Sequence, residues 1–158
     1  MKGKYTVISG DKKSHHLGVF TAGEILVSKS GRWVEHDNSA NTYIVATASS
    51  QQVDGYCDYI DSGTTAGDAY PIMDALDLVV EMPYYNGTSV ATSTLTVALL
   101  AAAMNENCDI YIDGDEVQYA DLGASSYDVI TVVGGDVDEN SIYTKRNPYP
   151  SNTTQGVA

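Results

Sequence analysis

Apolar residues in this chain fall in short β-branched or aromatic runs separated by Gly, Asn, Asp and Ser clusters, the pattern of short strands joined by tight turns. Regular structure is expected to begin near Phe20. Glu24 to Ser28 reads as a strand turning at Lys29-Ser30-Gly31 into Arg32 to Glu35, a compact hairpin. Thr42 to Ala48 and Gln52 to Ile60 read as two further strands, and Leu76 to Met82 as another, closed by Pro83. One segment breaks the pattern: Thr96 to Met104 is rich in Ala and Leu, has Ser93 or Thr94 available as an N-cap, and predicts a helix within about residues 91–105. Cys108 to Ile112 and Glu116 to Tyr119 flank Asp113-Gly114, a strong hairpin signal. Tyr127 to Val133 is a final strand, with Ser141 to Lys145 as a short edge.

These elements predict a mainly β fold, a small β-barrel or β-sandwich-like (tulip-like) domain with one inserted helix. The expected organisation is an extended N-terminal arm over residues 1–18, a single β-rich domain over 19–146 and an extended tail over 147–158. The arm is assigned because Met1 to Leu17 is polar and basic, with one small apolar patch at Tyr5 to Ile8. A length of 158 residues fits one domain with a real core.

Charge divides the chain sharply. All eight Lys and Arg lie within the first 32 residues or at Lys145 and Arg146, while Trp33 to Thr144 holds 19 of the 21 carboxylates. A net charge of −13 argues against nucleic acid or an anionic membrane as partner for the body. It also turns the search from catalysis on anionic substrates towards assembly, because such sites use fixed positive charge. No apolar run reaches the roughly 18 residues of a membrane span, and the first residues lack the apolar core of a signal peptide.

Candidate chemistry is sparse. Cys57 and Cys108 have no metal-ligand spacing and read as buried thiols. His15-His16 implies no third ligand. Asp109 to Glu116 superficially resembles a calcium loop but lacks EF-hand spacing, and a hairpin tip is the simpler reading. Asp54, Asp58 and Asp61 are the candidates for paired glycosidase carboxylates. No nucleophile elbow or phosphate-binding loop is present, so an enzyme and a cofactor are not expected. Asn86-Gly87-Thr88 and Asn152-Thr153-Thr154 match the glycosylation pattern but also suit loop turns. The 12 Tyr residues suggest protein contacts, with Tyr84, Tyr85, Tyr143 and Tyr149 as interface candidates.

Thr21-Ala22-Gly23-Glu24-Ile25-Leu26, then Ser30-Gly31-Arg32-Trp33-Val34 and Asp37, resembles the opening of bacteriophage head decoration, or capsid cement, proteins. Tyr43 to Ala48, Val53-Asp54 and Gly67-Asp68 extend the likeness, which covers roughly Val19 to Pro83. The helix and the Asp113 hairpin lie beyond it and read as an insertion at about 84–122. The resemblance implies a non-enzymatic virion protein made in the host cytoplasm. It would form a homotrimer on the outer face of an icosahedral shell, with the major capsid protein as partner. Candidate shell contacts are then Lys2, Lys4, Tyr5, Lys12, Lys13, Lys29, Arg32, Lys145 and Arg146, and Trp33 joins the interface candidates. The alternatives are another virion component, such as a tail-associated protein, and a carbohydrate-binding or adhesion module in which Trp33 and the Tyr residues stack on sugars.

Overall fold

The structure, a computed structural model, describes residues 7–13, 15–124 and 126–150. It is mainly β, with two sheets and one short helix. In chain order the elements are β1 (Val7–Ser9), β2 (His15–Val19), β3 (Trp33–Asp37), β4 (Thr42–Val45), β5 (Gly55–Tyr56), β6 (Ala69–Met73), β7 (Val79–Tyr85), a 3-10 turn (Val90–Thr92), α1 (Val97–Ala103), β8 (Asn107–Ile112), β9 (Gln118–Asp121), β10 (Ile130–Asp136) and β11 (Ser141–Arg146). The first sheet runs β1-β7-β11-β10-β8-β9. Parallel pairing of Tyr84 with Ala120 and Tyr85 with Asp121 brings β9 back to β7 and closes a near-barrel ring. The second sheet runs β2-β6-β5-β3-β4.

Each sheet has its own core. Val80, Met82, Ile110, Ile130, Val132 and Ile142 fill the ring, joined by Trp33 and Tyr56 from the second sheet. Phe20, Leu26, Val34, Val45, Cys57 and Ile72 form the smaller cluster. The join between them is polar and turns on Gln118, which is fully buried. Its side chain accepts from the Trp33 N–H at 2.9 Å and donates to the carbonyls of Trp33 and Ala46 at 3.0 and 2.9 Å. Its backbone accepts from the Gly31 N–H and donates to Ser30 Oγ.

Asp residues start the hairpin turns and account for part of the acidic composition. Asp37 accepts the N–H groups of Ser39 and Ala40. Asp136 does the same for Asp138 and Glu139, and Asp113 for Asp115 and Val117. A short carboxylate that collects backbone donors fixes a turn without a regular ladder. The Asp113 hairpin forms where expected, although its left-handed residue is Glu116, at φ 61°, rather than Gly114.

Several expectations are corrected. The expected arm contains two sheet strands: Val7 and Ser9 of β1 pair with β7, and β2 pairs with β6 along its whole length. The hairpin at Lys29-Ser30-Gly31 does not form, because Leu26 bridges Asp61 and Gly31 bridges Gln118 instead of each other's strands. The expected strand over 52–60 shrinks to β5, since Cys57 donates to the Arg32 carbonyl and the chain then turns away towards Leu26. β7 continues through Pro83. Tyr84 donates to the Asn140 carbonyl across the β11 side, so the Pro83 nitrogen faces the opposite side, past the end of β1, where no ladder donor is required.

β11, expected at an edge, is central between β7 and β10. The helix and the Asp113 hairpin are likewise no insertion into a finished barrel, because β8 and β9 are staves of the ring. The helix itself is capped by Thr96, whose side chain accepts from Leu99 N–H, rather than by Ser93 or Thr94. It lies on β10 at Gly135, where a Cβ would come within 3.0 Å of Leu100; the glycine admits the helix. Asn140 holds its entry, accepting from Leu95 N–H and donating to the Ser93 carbonyl.

Candidate functional site

Among the expected contacts, Lys2, Lys4 and Tyr5 lie outside the described residues. Lys12, Lys13 and Lys29 are exposed. Lys12 lines a cleft of about 290 Å³ with Val7, His15, Asp58 and Tyr59. The turn that carries Lys29 is tied to the same cleft through Arg32, whose guanidinium bonds the Val27 and Ser30 carbonyls and reaches Asp58 at 3.3 Å. Thus the first described residue, Lys12 and the Lys29 turn share one neighbourhood.

Arg32 itself is not a surface contact. It is buried, donates also to the Cys57 carbonyl, and sits 5.4 Å from the Tyr56 ring centroid. Burying a guanidinium demands this full set of acceptors. Trp33 is equally withdrawn: its indole donates to Thr144 Oγ1 at 3.1 Å and its ring meets Tyr56 edge-on. Tyr84 and Tyr85 are buried, the latter stacked on Tyr111 at 4.0 Å. Burial raises both phenols above the usual tyrosine range. Tyr143 is half-buried, and of the aromatic candidates Tyr149 is the one well exposed.

Lys145 is half-buried on β11 opposite Thr131. Arg146 lies elsewhere again, donating to the Asp74 and Val53 carbonyls beside a polar cup of about 470 Å³. His16 and His36 flank Tyr43 in this cup, with ring centroids 5.7 and 5.1 Å from it. His15 lines the Lys12 cleft and His16 the Arg146 cup. Successive strand residues point to opposite faces, so β2 stands between the two groups of cations. The candidate shell contacts are therefore divided between two faces.

The carboxylates considered for chemistry are engaged in the scaffold. Asp54 accepts from His36 N–H and Gln52, Asp58 pairs with Arg32, and Asp61 accepts from Gly63 N–H and the Tyr70 hydroxyl. The Tyr70 hydrogen bond holds Asp61 below the usual carboxylate range and pushes the phenol up to about 12. Asp109, at one end of the calcium-like stretch, collects the N–H groups of Ser126, Tyr127 and Asp128. Among the described residues, no three His, Cys, Asp or Glu side chains are gathered to hold a metal ion. No described helix is long and apolar enough to cross a membrane.

Two features were not anticipated as sites. One is the polar cup around Tyr43, assembled from β2, β3, β4 and β11 and invisible in any local motif. The other is the outer face of α1, which carries exposed Val97 and Leu99 beside a cleft of about 410 Å³ lined by Tyr84, Leu99, Ala102 and Leu122. Its signal in the sequence is the absence of any charged residue from Met82 to Asn105. Compared with known proteins, the chain matches no family model, no curated protein and no solved structure.

Proposed function

We propose that this chain is a non-enzymatic decoration protein that binds the outer surface of an icosahedral phage capsid and stabilises it. The observation that carries the reading is the unity of the segment that resembles that family. Residues from Val19 to Met73 form most of the second sheet, with a core, Phe20 to Ile72, drawn from within the resembling stretch. The likeness runs on to Pro83 and so also takes in most of β7, but the cluster of six buried residues drawn wholly from within it favours common design over scattered coincidence. The ring strands β8 to β11, which lie beyond Pro83, are then an elaboration on that packed unit. Exposed Lys12, Lys13 and Lys29 near the start of the described chain are the candidate shell contacts, and Arg32 supports the turn that presents Lys29.

The mechanism is linkage. A protein that binds the assembled shell and not its free subunits stabilises the shell by about 2.7 kcal/mol per site at a concentration 100 times its Kd. Repetition over many sites makes a modest single contact sufficient. The test is co-sedimentation with expanded, DNA-free heads of the phage that encodes the chain. Saturable pelleting with heads is expected, and removal of residues 1–6 should weaken it while leaving the fold intact. Deletion through residue 18 would instead remove two strands. Full-length protein that stays in the supernatant overturns the reading, and pelleting with tails alone makes it a tail component.

A saccharide-binding reading draws on the cup around Tyr43, where an aromatic ring lies among His, Asp, Asn and Arg side chains. It no longer draws on Trp33. Glycan binding abolished by Tyr43→Ala, without affinity for heads, would favour it.

A further inference from the structure

We infer that the outer face of α1, with the turn before it, is where copies of this chain pack against one another. A helix on a globular surface normally presents polar residues to water and an apolar stripe to the core. α1 does not. Five of its seven positions, Val97, Ala98, Leu99, Ala101 and Ala102, are exposed, and none is polar. Val97 keeps 74% of its surface in water and Leu99 44%. Leu100 and Ala103 face the ring core, so the helix already has its inner contact and an apolar outer face remains. Exposed Val90 and Met104 extend the patch at either end.

Charge identifies the occupant. The protein carries −13, so two copies that meet through most of their surface repel each other. Residues 82–105 form a run of 24 without a charged side chain, and the patch is built from it. A cationic partner would gain most on the strongly acidic surface and little here, where Glu106 is the one carboxylate lining the cleft, whereas another copy of this anionic chain gains most where both surfaces are nearly neutral. Small side chains at Ala98, Ala101 and Ala102 allow close approach of helices. The cleft lined by Leu99, Ala102, Leu122 and Tyr84 offers a recess beside the projecting Val97, with Glu106 and Asn107 on its rim. One patch thus contains both knob and hole, the arrangement needed when the same segment from each copy meets around a shared symmetry axis.

The capsid resemblance already implies self-association; its placement on α1 is the new element and is tested without shells. Light scattering coupled to gel filtration of the full chain should give a small multiple of 16.9 kDa. Val97→Glu and Leu99→Glu, at exposed positions, should each reduce the mass to one chain with an unchanged far-ultraviolet spectrum. Leu76→Glu, at an exposed apolar position outside the patch, should leave the assembly intact. Mixing Val97→Glu with Val97→Lys should restore association if the positions face each other. A monomeric wild type, or assemblies that persist in both Glu variants, overturns the inference. A monomeric wild type whose head binding is lost in Val97→Glu assigns the face to the shell and overturns it equally.

Discussion

Replacing Gln118 with Met should cost about 3–5 kcal/mol, because that one side chain satisfies backbone groups from two parts of the second sheet inside the join. Met has nearly the same volume, so the loss is of hydrogen bonds rather than of packing. The Trp33 N–H has a single proton and gives it to Gln118 Oε1, so the substitution orphans it in a fully buried position. The Ala46 carbonyl loses the donor that reaches it at 2.9 Å. The Trp33 carbonyl loses one donor but keeps Ala46 N–H. Two abandoned buried groups at about 1–3 kcal/mol each, and a third half-served, give the total. A domain of this size typically has only about 5–15 kcal/mol to lose. The backbone bonds of Gln118 to Gly31 and Ser30 do not involve the side chain and should persist, so the variant should fold.

Urea unfolding followed by Trp33 fluorescence measures the difference directly, and the thermal midpoint should fall by roughly 10 °C. Glu at 118 gives a second reading of the same geometry. Its carboxylate accepts from Trp33 N–H but has no proton for the two carbonyls, so this variant should recover part of its stability as the pH falls and the acid protonates. A Met variant within about 1 kcal/mol of wild type, or a Glu variant without that recovery, would refute the role given to Gln118.

Arg32→Met should destabilise by about 3–5 kcal/mol, since it removes the buried guanidinium that serves the Val27, Ser30 and Cys57 carbonyls and reaches Asp58 at 3.3 Å; calorimetry that finds a neutral effect would contradict this internal role. Glu24 is raised above the ordinary carboxylate range, first by burial and further by Glu116, against the opposing bond from Val45 N–H. Its folded form binds a proton more readily than the unfolded chain, so its contribution falls as pH rises through the folded pKa. Glu24→Gln keeps an acceptor for Val45 and should flatten the decline of stability between acidic and neutral pH; parallel pH profiles for the two proteins would contradict this. Burial lifts the Cys57 thiol to about 11 and Cys108 higher still. Both should resist a thiol reagent in the native state and react at once in urea, and rapid native labelling would count against their burial.

The elements that sequence patterning finds are those whose stabilising contacts are local. The Asp113 hairpin and the Ala/Leu helix depend on turn carboxylates, a cap and propensity, all within a few residues. The ring is different. β11 reads as a weak edge because Ser141 and Thr144 interrupt its apolar pattern, yet both are buried: Ser141 donates to Glu81, and Thr144 accepts from the Trp33 indole. β9 is legible only as the hairpin partner of β8; its place in the ring is hidden, since buried Gln118 bonds the backbone of Trp33 and Ala46, far along the chain. Closure rests on parallel pairing between β7 and β9, which no hairpin signal encodes. Arg32 and Trp33 have the chemistry of contact residues, and it is the same chemistry, directed to internal acceptors, that holds them inside. The polar cup and the helix face escape local patterns because one is assembled across both sheets and the other is marked by missing charge.

Electron cryomicroscopy of expanded heads with and without added protein tests the account most directly. The proposed function predicts additional density on the outer face of the shell, of a size that accommodates the two-sheet fold, with the Lys12 and Lys29 side towards the capsid. Maps that are identical with and without the protein, or density confined to the tail, would contradict it.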